Sequence, residues 1–185
     1  MRSLTMEPEV YFPEAVSVRI GVLSDTHIPG RARSLPRALL SALKGSDLIL
    51  HAGDLNALSV LETLGSLAPV VAVAGNTDAE SVHARLGRRR LLIVAGCRIG
   101  LAHGDGSTGT TQGRALQAFA DEAVDCVVFG HSHIPKIERS GAILCVNPGS
   151  PTDKRVQPHY TCARLNIHRG VPSAEIIQLS GRTQS

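Results

Sequence analysis

The stretch Val18-Arg19-Ile20-Gly21-Val22-Leu23-Ser24-Asp25-Thr26-His27 decides how the rest of the chain is read. Its aliphatic run over 18–23 predicts a short strand, which stops abruptly at small polar residues carrying a carboxylate and an imidazole. The same grammar recurs along the chain. Asp47-Leu48-Ile49-Leu50-His51 predicts a second strand halting at Ala52-Gly53-Asp54, and Val70-Val71-Ala72-Val73-Ala74 a third halting at Gly75-Asn76-Thr77-Asp78. Farther on, Arg98 to Ala102 runs directly into His103-Gly104-Asp105, and Cys126-Val127-Val128-Phe129 into Gly130-His131-Ser132-His133.

Between the first three strands, helical spacing over 34–43 and 58–64 makes the first half βαβαβ. The second half is richer in strands. A hairpin is predicted over 90–95 and 98–102 around Gly96-Cys97, then a helix near 114–124 and strands over 142–146, 161–167 and 174–179. Parallel strands require crossover helices and hairpins do not, so the expectation is one α/β domain with sheets inside and helices outside. The predicted organisation is an irregular N-terminal extension over 1–16, a single domain over 17–181 and a short tail over 182–185. In such folds ligand-binding groups gather beyond the carboxyl ends of the strands.

Composition narrows the function classes. The 185 residues include 43% hydrophobic but only 3 Phe, 2 Tyr and no Trp, so the core must be aliphatic. Charged residues at 19% argue against disorder. A net charge of +3, with scattered basic residues and few aromatics, gives no nucleic-acid platform. No apolar run approaches the roughly 20 residues needed to cross a bilayer, and residues 1–13 lack the apolar core of a secretory signal. Cys97, Cys126, Cys145 and Cys162 form no paired metal or redox motif and are predicted as buried thiols, which suits the cytoplasm.

The strand ends supply Asp25, His27, Asp54, Asn76, His103, His131 and His133: two carboxylates, one amide oxygen and four imidazoles. These donors suit two divalent ions of intermediate hardness such as Mn²⁺, Zn²⁺, Fe²⁺ or Ni²⁺, whereas a Ca²⁺ site would be built from oxygen. Asp25/His27 and His131/His133 are each two residues apart, which in extended chain places both side chains on one face. Gly53, Gly75 and Gly130 each precede a candidate ligand, where a missing Cβ permits a sharp turn or a close approach.

Asp25-Thr26-His27, Gly53-Asp54, Gly75-Asn76-Thr77-Asp78, His103-Gly104, Gly130-His131-Ser132-His133 and Asn147-Pro148-Gly149-Ser150 together resemble the calcineurin-like metallophosphoesterase superfamily. The likeness is to its small single-domain branch, which holds bacterial and archaeal phosphodiesterases and the scaffold subunit of eukaryotic retromer. It spans about residues 18–180. It implies a layered sandwich of two mixed β-sheets flanked by helices, and two divalent metal ions with Mn²⁺ favoured. Asp25, His27 and His133 would hold one ion, Asn76, His103 and His131 the other, and Asp54 would bridge them. An anionic oxygen between two cations also offsets their repulsion.

The implied reaction is attack of a metal-activated water on a small phosphate ester, with diesters favoured. Asp54, Asn76, His103, Thr77 and Asp78 form the expected catalytic set. Many larger relatives carry His at the position of Thr77, and small relatives often carry a second His at that of Asp105. Asp105 therefore reads either as a partner of His103 or a water, or as a loop carboxylate, and Asp78 as a support or a turn residue. Arg31 and Arg33 are candidate phosphate contacts, whereas Arg88-Arg89-Arg90 reads as a solvated run. Other functions compatible with the motifs are a noncatalytic interaction scaffold, a phosphomonoesterase or a nuclease. Small relatives often assemble, so a homo-oligomer is also expected.

Overall fold

The apolar runs over 20–23, 48–51, 126–128 and 144–147 prove to be buried on both faces, which is why those strands read as continuous rather than alternating. The computed structural model describes residues 8–13 and 15–180. Its elements in order are β1 (Glu9–Tyr11), β2 (Ser17–Leu23), α1 (Arg37–Leu43), β3 (Leu48–His51), α2 (Ser59–Gly65), β4 (Val70–Ala72), α3 (Glu80–Leu86), β5 (Arg89–Val94), β6 (Cys97–Ala102), α4 (Thr111–Gln117), β7 (Cys126–Val128), β8 (Lys136–Ser140), β9 (Ile143–Asn147), β10 (Tyr160–His168) and β11 (Val171–Leu179). One sheet has six strands in the order β1-β5-β6-β7-β9-β8 and the other five in the order β11-β10-β2-β3-β4. Both are mixed. β2, β3 and β4 run parallel, as do β6, β7 and β9, while the β5–β6, β8–β9 and β10–β11 pairs are antiparallel.

The two sheets face each other across one aliphatic layer. Val18, Ile20 and Val22 of β2 and Leu48 and Leu50 of β3 meet Leu92, Val94, Ile99, Leu101, Val128 and Val146 from the opposite sheet. The alternate residues point outward. Leu23 and Ile49 pack under Leu39, Leu43, Val60, Leu64, Val82 and Leu86 of α1, α2 and α3. On the far side, Ala102, Val127, Phe129 and Cys145 pack with Ala115 of α4 and with Phe119 just beyond it. The result is the expected α/β sandwich of two mixed sheets flanked by helices. The four cysteines are free and buried within these layers, and burial pushes the Cys97 and Cys162 thiols up to about 12.

Four elements depart from the sequence expectation. Glu9–Tyr11, expected within an irregular lead-in, is a strand paired in parallel with β5. Residues 1–7 of that extension and the tail over 182–185 lie outside the described residues. β8 carries Lys136, Glu138 and Arg139 at a sheet edge, where charges deter further pairing and erase the apolar signal. α3 buries only Val82 and Leu86, too few apolar positions to announce a helix. α4 also begins earlier than expected, because the Thr110 hydroxyl caps it by accepting the Gly113 N–H at 3.0 Å.

Gly100 in β6 shows how tightly the outer layer closes. A Cβ there would lie 2.7 Å from two ring carbons of Phe119. Gly100→Ala is expected to lower stability by about 1–3 kcal/mol through overpacking, read as a reduced urea midpoint with an unchanged slope.

Candidate metal centre

The loops that leave β2, β3, β6 and β7, together with the segment after β4, turn their polar side chains onto one point. They do so by an unusual backbone route. Asp25, His27, Asp54, His131 and His133 have φ of +57°, +45°, +58°, +64° and +60°. The paired ligands therefore converge through left-handed residues and not through extended chain, which corrects the geometric expectation. A non-glycine residue held there costs roughly 1–3 kcal/mol and persists only where its surroundings over-determine it.

That over-determination comes from bonds between the loops. Asp25 N–H donates to the Gly53 carbonyl at 2.9 Å and His27 N–H to the Asp54 carbonyl at 3.0 Å. Ser150 Oγ donates to the Asp25 carbonyl at 2.7 Å, Thr152 Oγ1 to that of Thr26 at 2.7 Å, and Asn147 Nδ2 to that of Gly130 at 2.8 Å. The Asn147-Pro148-Gly149-Ser150 loop is thus a clamp on the two ligand-bearing turns. His51, fully buried, joins them from below. Its Nδ1 accepts the Gly53 N–H at 3.2 Å, so Nε2 carries the proton and faces Thr26 Oγ1 at 3.0 Å.

The two carboxylates are arranged alike. Asp25 Oδ2 accepts the His131 N–H at 3.0 Å, and Asp54 Oδ1 accepts the Thr77 N–H at 2.9 Å. Their other oxygens turn to the centre. Asp54 Oδ2 lies 3.3 Å from His103 Nε2 and 3.8 Å from His27 Nε2, while Asp25 Oδ1 lies 3.3 Å from His133 Nε2. Gly75 and Gly130 make room for these carboxylates. A Cβ on Gly75 would overlap Asp54 Oδ1, and one on Gly130 would sit 2.7 Å from Asp25 Oδ2.

Two imidazoles are locked by backbone carbonyls, which can only accept. His103 Nδ1 donates to Ala52 O at 2.7 Å and His133 Nδ1 to Asp153 O at 2.5 Å, so Nε2 is in each case the nitrogen turned inward, free to bind a cation once it gives up any proton. His27 Nε2 lies 3.3 Å from His133 Nε2, and Asn76 Oδ1 lies 2.9 Å from His131 Nδ1. Two donors about 2.1 Å from one cation lie about 3.0 Å apart at a right angle and about 3.4 Å apart at the tetrahedral angle, so these spacings fit shared ions. Asp25, His27 and His133 form one cluster and Asp25, Asp54 and His103 a second, each with donor atoms within 4.8 Å of one another. Asp25 Oδ1 and His103 Nε2 are buried with no hydrogen-bond partner. Orphaned atoms of this kind, where two clusters of carboxylates and imidazoles meet, are satisfied by a cation.

The proton equilibria carry the same signature. Burial works to raise the Asp25 and Asp54 carboxyls, but the close imidazoles of His133 and His103 hold both below the usual range. Burial likewise works to lower His103, and the close Asp54 carboxylate with the field of Asp25 pushes it up to about 9. Burial lowers His51 to about 4.

The remaining candidates separate cleanly. Asp78 is buried and its carboxylate accepts three backbone N–H groups: Asp54 at 2.9 Å, Asn56 at 2.6 Å and Gly75 at 2.8 Å. It braces the loops that carry Asp54 and Asn76. Asp105 pairs with Arg88 at 3.2 Å, so His103 takes its orientation from Ala52. Arg31 pairs with Asp153 at 3.2 Å, while Arg33 lines a separate cavity of about 360 Å³ with Leu35, Arg37 and Thr63. Arg89 donates to the Ala118 carbonyl and Arg90 to Glu9, so the arginine run is divided among partners on its own chain. Asn56, Thr152 and Asp153 carry no motif signal, because they act through a left-handed backbone, a loop hydroxyl and a main-chain carbonyl.

Residues 18–170 match the calcineurin-like phosphoesterase superfamily domain. The chain belongs to that superfamily. It is 40% identical over 164 residues to a protein of Methanothermobacter thermautotrophicus named "probable metallophosphoesterase", covering 86% of this chain and 91% of that one. A like-named protein of Methanocaldococcus jannaschii is 40% identical over 149 residues, covering 80% of this chain and 75% of its own. In fold the superfamily domain is similar to Chaetomium thermophilum Vps29, with TM-score 0.72, 20% identity and coverage of 88% and 97%. It is also similar to a structure described as a novel archaeal phosphodiesterase, with TM-score 0.66, 21% identity and coverage of 86% and 99%.

Two measurements check how this superfamily site is supported. Asp78→Asn removes the charge and faces an amide N–H₂ toward backbone donors. It is expected to cost about 2–3 kcal/mol in chelator-treated protein and to weaken metal binding about tenfold or more by calorimetry. His51 sets a pH dependence. Its folded pKa of about 4 lies below the ordinary 6.5, so the unfolded chain binds the extra proton between those values and stability falls as pH drops through that window. Urea unfolding of metal-free wild type and His51→Gln from pH 7 to 4 is expected to show a shallower loss in the variant.

Proposed function

We propose that the protein hydrolyses small phosphodiesters at a dinuclear metal centre in the cytoplasm, with Mn²⁺ the favoured ion. The observation that carries this reading is the pair of carboxylates, each pinned by one oxygen to a backbone N–H and turning the other inward among imidazoles. Asp25, His27 and His133 are assigned to one ion and Asn76, His103 and His131 to the other. Asp54 is assigned to both, because its free oxygen faces His27 and His103 together. Mixed nitrogen and oxygen donors suit Mn²⁺, and also Zn²⁺, Fe²⁺ or Ni²⁺.

When bound, two such cations supply Lewis acidity that activates water and stabilises charge building on the phosphoryl oxygens. The chain's own residues do the placing. His103 and His133, held by carbonyl partners, present lone pairs without rotating. Asn76 and Thr77 are exposed and His27 and His131 half-buried, so they border the mouth where an ester enters. Thr77 N–H orients the shared Asp54, and Asp78 is a positioning residue behind both loops. Water adds to phosphorus, the P–O ester bond breaks, and a monoester and an alcohol leave. The small single-domain framework and the fold neighbour described as a phosphodiesterase support the diester preference. The noncatalytic alternative has fold likeness to Vps29 on its side and no feature of this site.

The test is hydrolysis of bis(p-nitrophenyl) phosphate by Mn²⁺-loaded full-length protein. Wild type is expected to turn over, chelated protein to stop, and Asp54→Asn to lose on the order of 10³-fold. Absence of turnover with Mn²⁺, Ni²⁺ and Zn²⁺ in protein that binds two ions would overturn the reading.

A further inference from the structure

We propose that Asn56 and Thr77 form a hydrogen-bonded relay that fixes the tautomer of His27 and so sets the affinity of one metal position. The inference rests on the dinuclear reading and assigns Thr77 a task other than that of the histidine found there in larger relatives.

The relay can be read from proton counting. A threonine hydroxyl has one proton, and Thr77 Oγ1 donates it to Asn56 Oδ1 at 3.0 Å. Its lone pairs can then only accept, and His27 Nδ1 faces them at 3.4 Å. His27 therefore carries its proton on Nδ1 and keeps a lone pair on Nε2. That atom points to the centre, 3.3 Å from His133 Nε2, 3.8 Å from Asp54 Oδ2 and 3.9 Å from Asp25 Oδ1. With Nδ1 of His133 also donating outward, two imidazole lone pairs converge on one point, an arrangement that a cation stabilises.

Asn56 is built for this position. It sits at φ +68°, a conformation that asparagine tolerates better than most residues. Its N–H donates to Asp78 Oδ1 at 2.6 Å, and its Nδ2 donates to the Pro29 carbonyl at 3.4 Å, which turns Oδ1 toward Thr77. The chain of contacts thus runs from the brace Asp78 through Asn56 and Thr77 to His27, joining the loops that follow β2, β3 and β4. His103 and His133 take their orientation from main-chain carbonyls, which substitution cannot remove. His27 depends on the Thr77 side chain, so its position is tunable by sequence where those two are not. Without the hydroxyl the ring is free to place its proton on Nε2, inside the metal position.

The test is calorimetric titration of chelator-treated full-length protein with Mn²⁺, and with Zn²⁺ as a second probe. Wild type is expected to bind two equivalents. Thr77→Val, nearly isosteric but without the hydroxyl, is expected to weaken one equivalent about tenfold and leave the other unchanged. Thr77→Ser is expected to return to within about twofold of wild type, and Asn56→Asp, which keeps the acceptor, to retain affinity. Asn56→Gly keeps the backbone conformation without the acceptor and is expected to weaken the same equivalent. Wild-type affinity in Thr77→Val overturns the relay. Equal weakening of both equivalents with a lowered Tm also overturns it, since that is a folding effect. Failure of wild type to bind metal removes the dinuclear reading itself, an outcome distinct from the other two.

Discussion

Two aspartates share a buried centre, and each spends one oxygen on a backbone amide while the other turns inward among imidazoles, that of Asp25 with no hydrogen-bond partner. That division is the constraint on which the rest of the architecture depends. A carboxylate anchored at one oxygen cannot swing away from its neighbour, so like charges stay close. Left alone, such a cluster captures a proton, and His103 takes that part, held well above its ordinary range. A divalent cation does the same work with more charge and no transferable proton. Metal binding then displaces the proton, and the preformed donor set loses little freedom in the exchange.

Holding the donors in place requires backbone conformations that most residues avoid. Five of the seven candidate ligands have left-handed φ. The compensation is distributed: Gly53, Asp54 and Gly130 exchange main-chain bonds with neighbouring loops, and the 147–153 segment adds Asn147, Ser150 and Thr152 from outside. Each bond contributes about 1 kcal/mol, comparable to the strain at one residue, so the loops are stable together and not separately. This explains why the site forms where two sheets end side by side. A single sheet could not surround each turn with partners from the opposite layer.

What was legible in the sequence follows from the same physics. Strands buried on both faces write long aliphatic runs, and an abrupt stop at Asp, Asn or His marks where the chain leaves the core. Val18–His27 therefore carries both the fold and part of the site. The helix over Glu80–Leu86 and the strand over Lys136–Ser140 were illegible because each buries too little apolar surface to pattern the chain. The inward-facing groups Asp25, Asp54, His103 and His133 stand out as residue types. Their supports do not: Ala52 and Asp153 act through carbonyls, and Asn56 through a left-handed turn. The geometry of the Asp-x-His and His-x-His pairs was likewise hidden, since an extended and a doubly left-handed tripeptide are spelled identically.

The distribution of arginine adds a last step. A formal charge of +3 suggests a lure for anionic esters, yet Arg31, Arg88 and Arg114 are engaged within the chain itself. Arg31 holds Asp153, Arg88 holds Asp105, and Arg114 donates to the carbonyls of Gly104, Thr108 and Gly109, so it staples the loop after β6. Exposed pairs of this kind contribute little stability, but they do consume charge that would otherwise face a ligand. The ions themselves supply attraction for a phosphoryl group: two divalent cations against the Asp25 and Asp54 carboxylates leave the centre positive. Binding and chemistry are in this way tied to one event. With Thr77 engaged by Asn56 and His27, the leaving alcohol depends on solvent or on its own acidity.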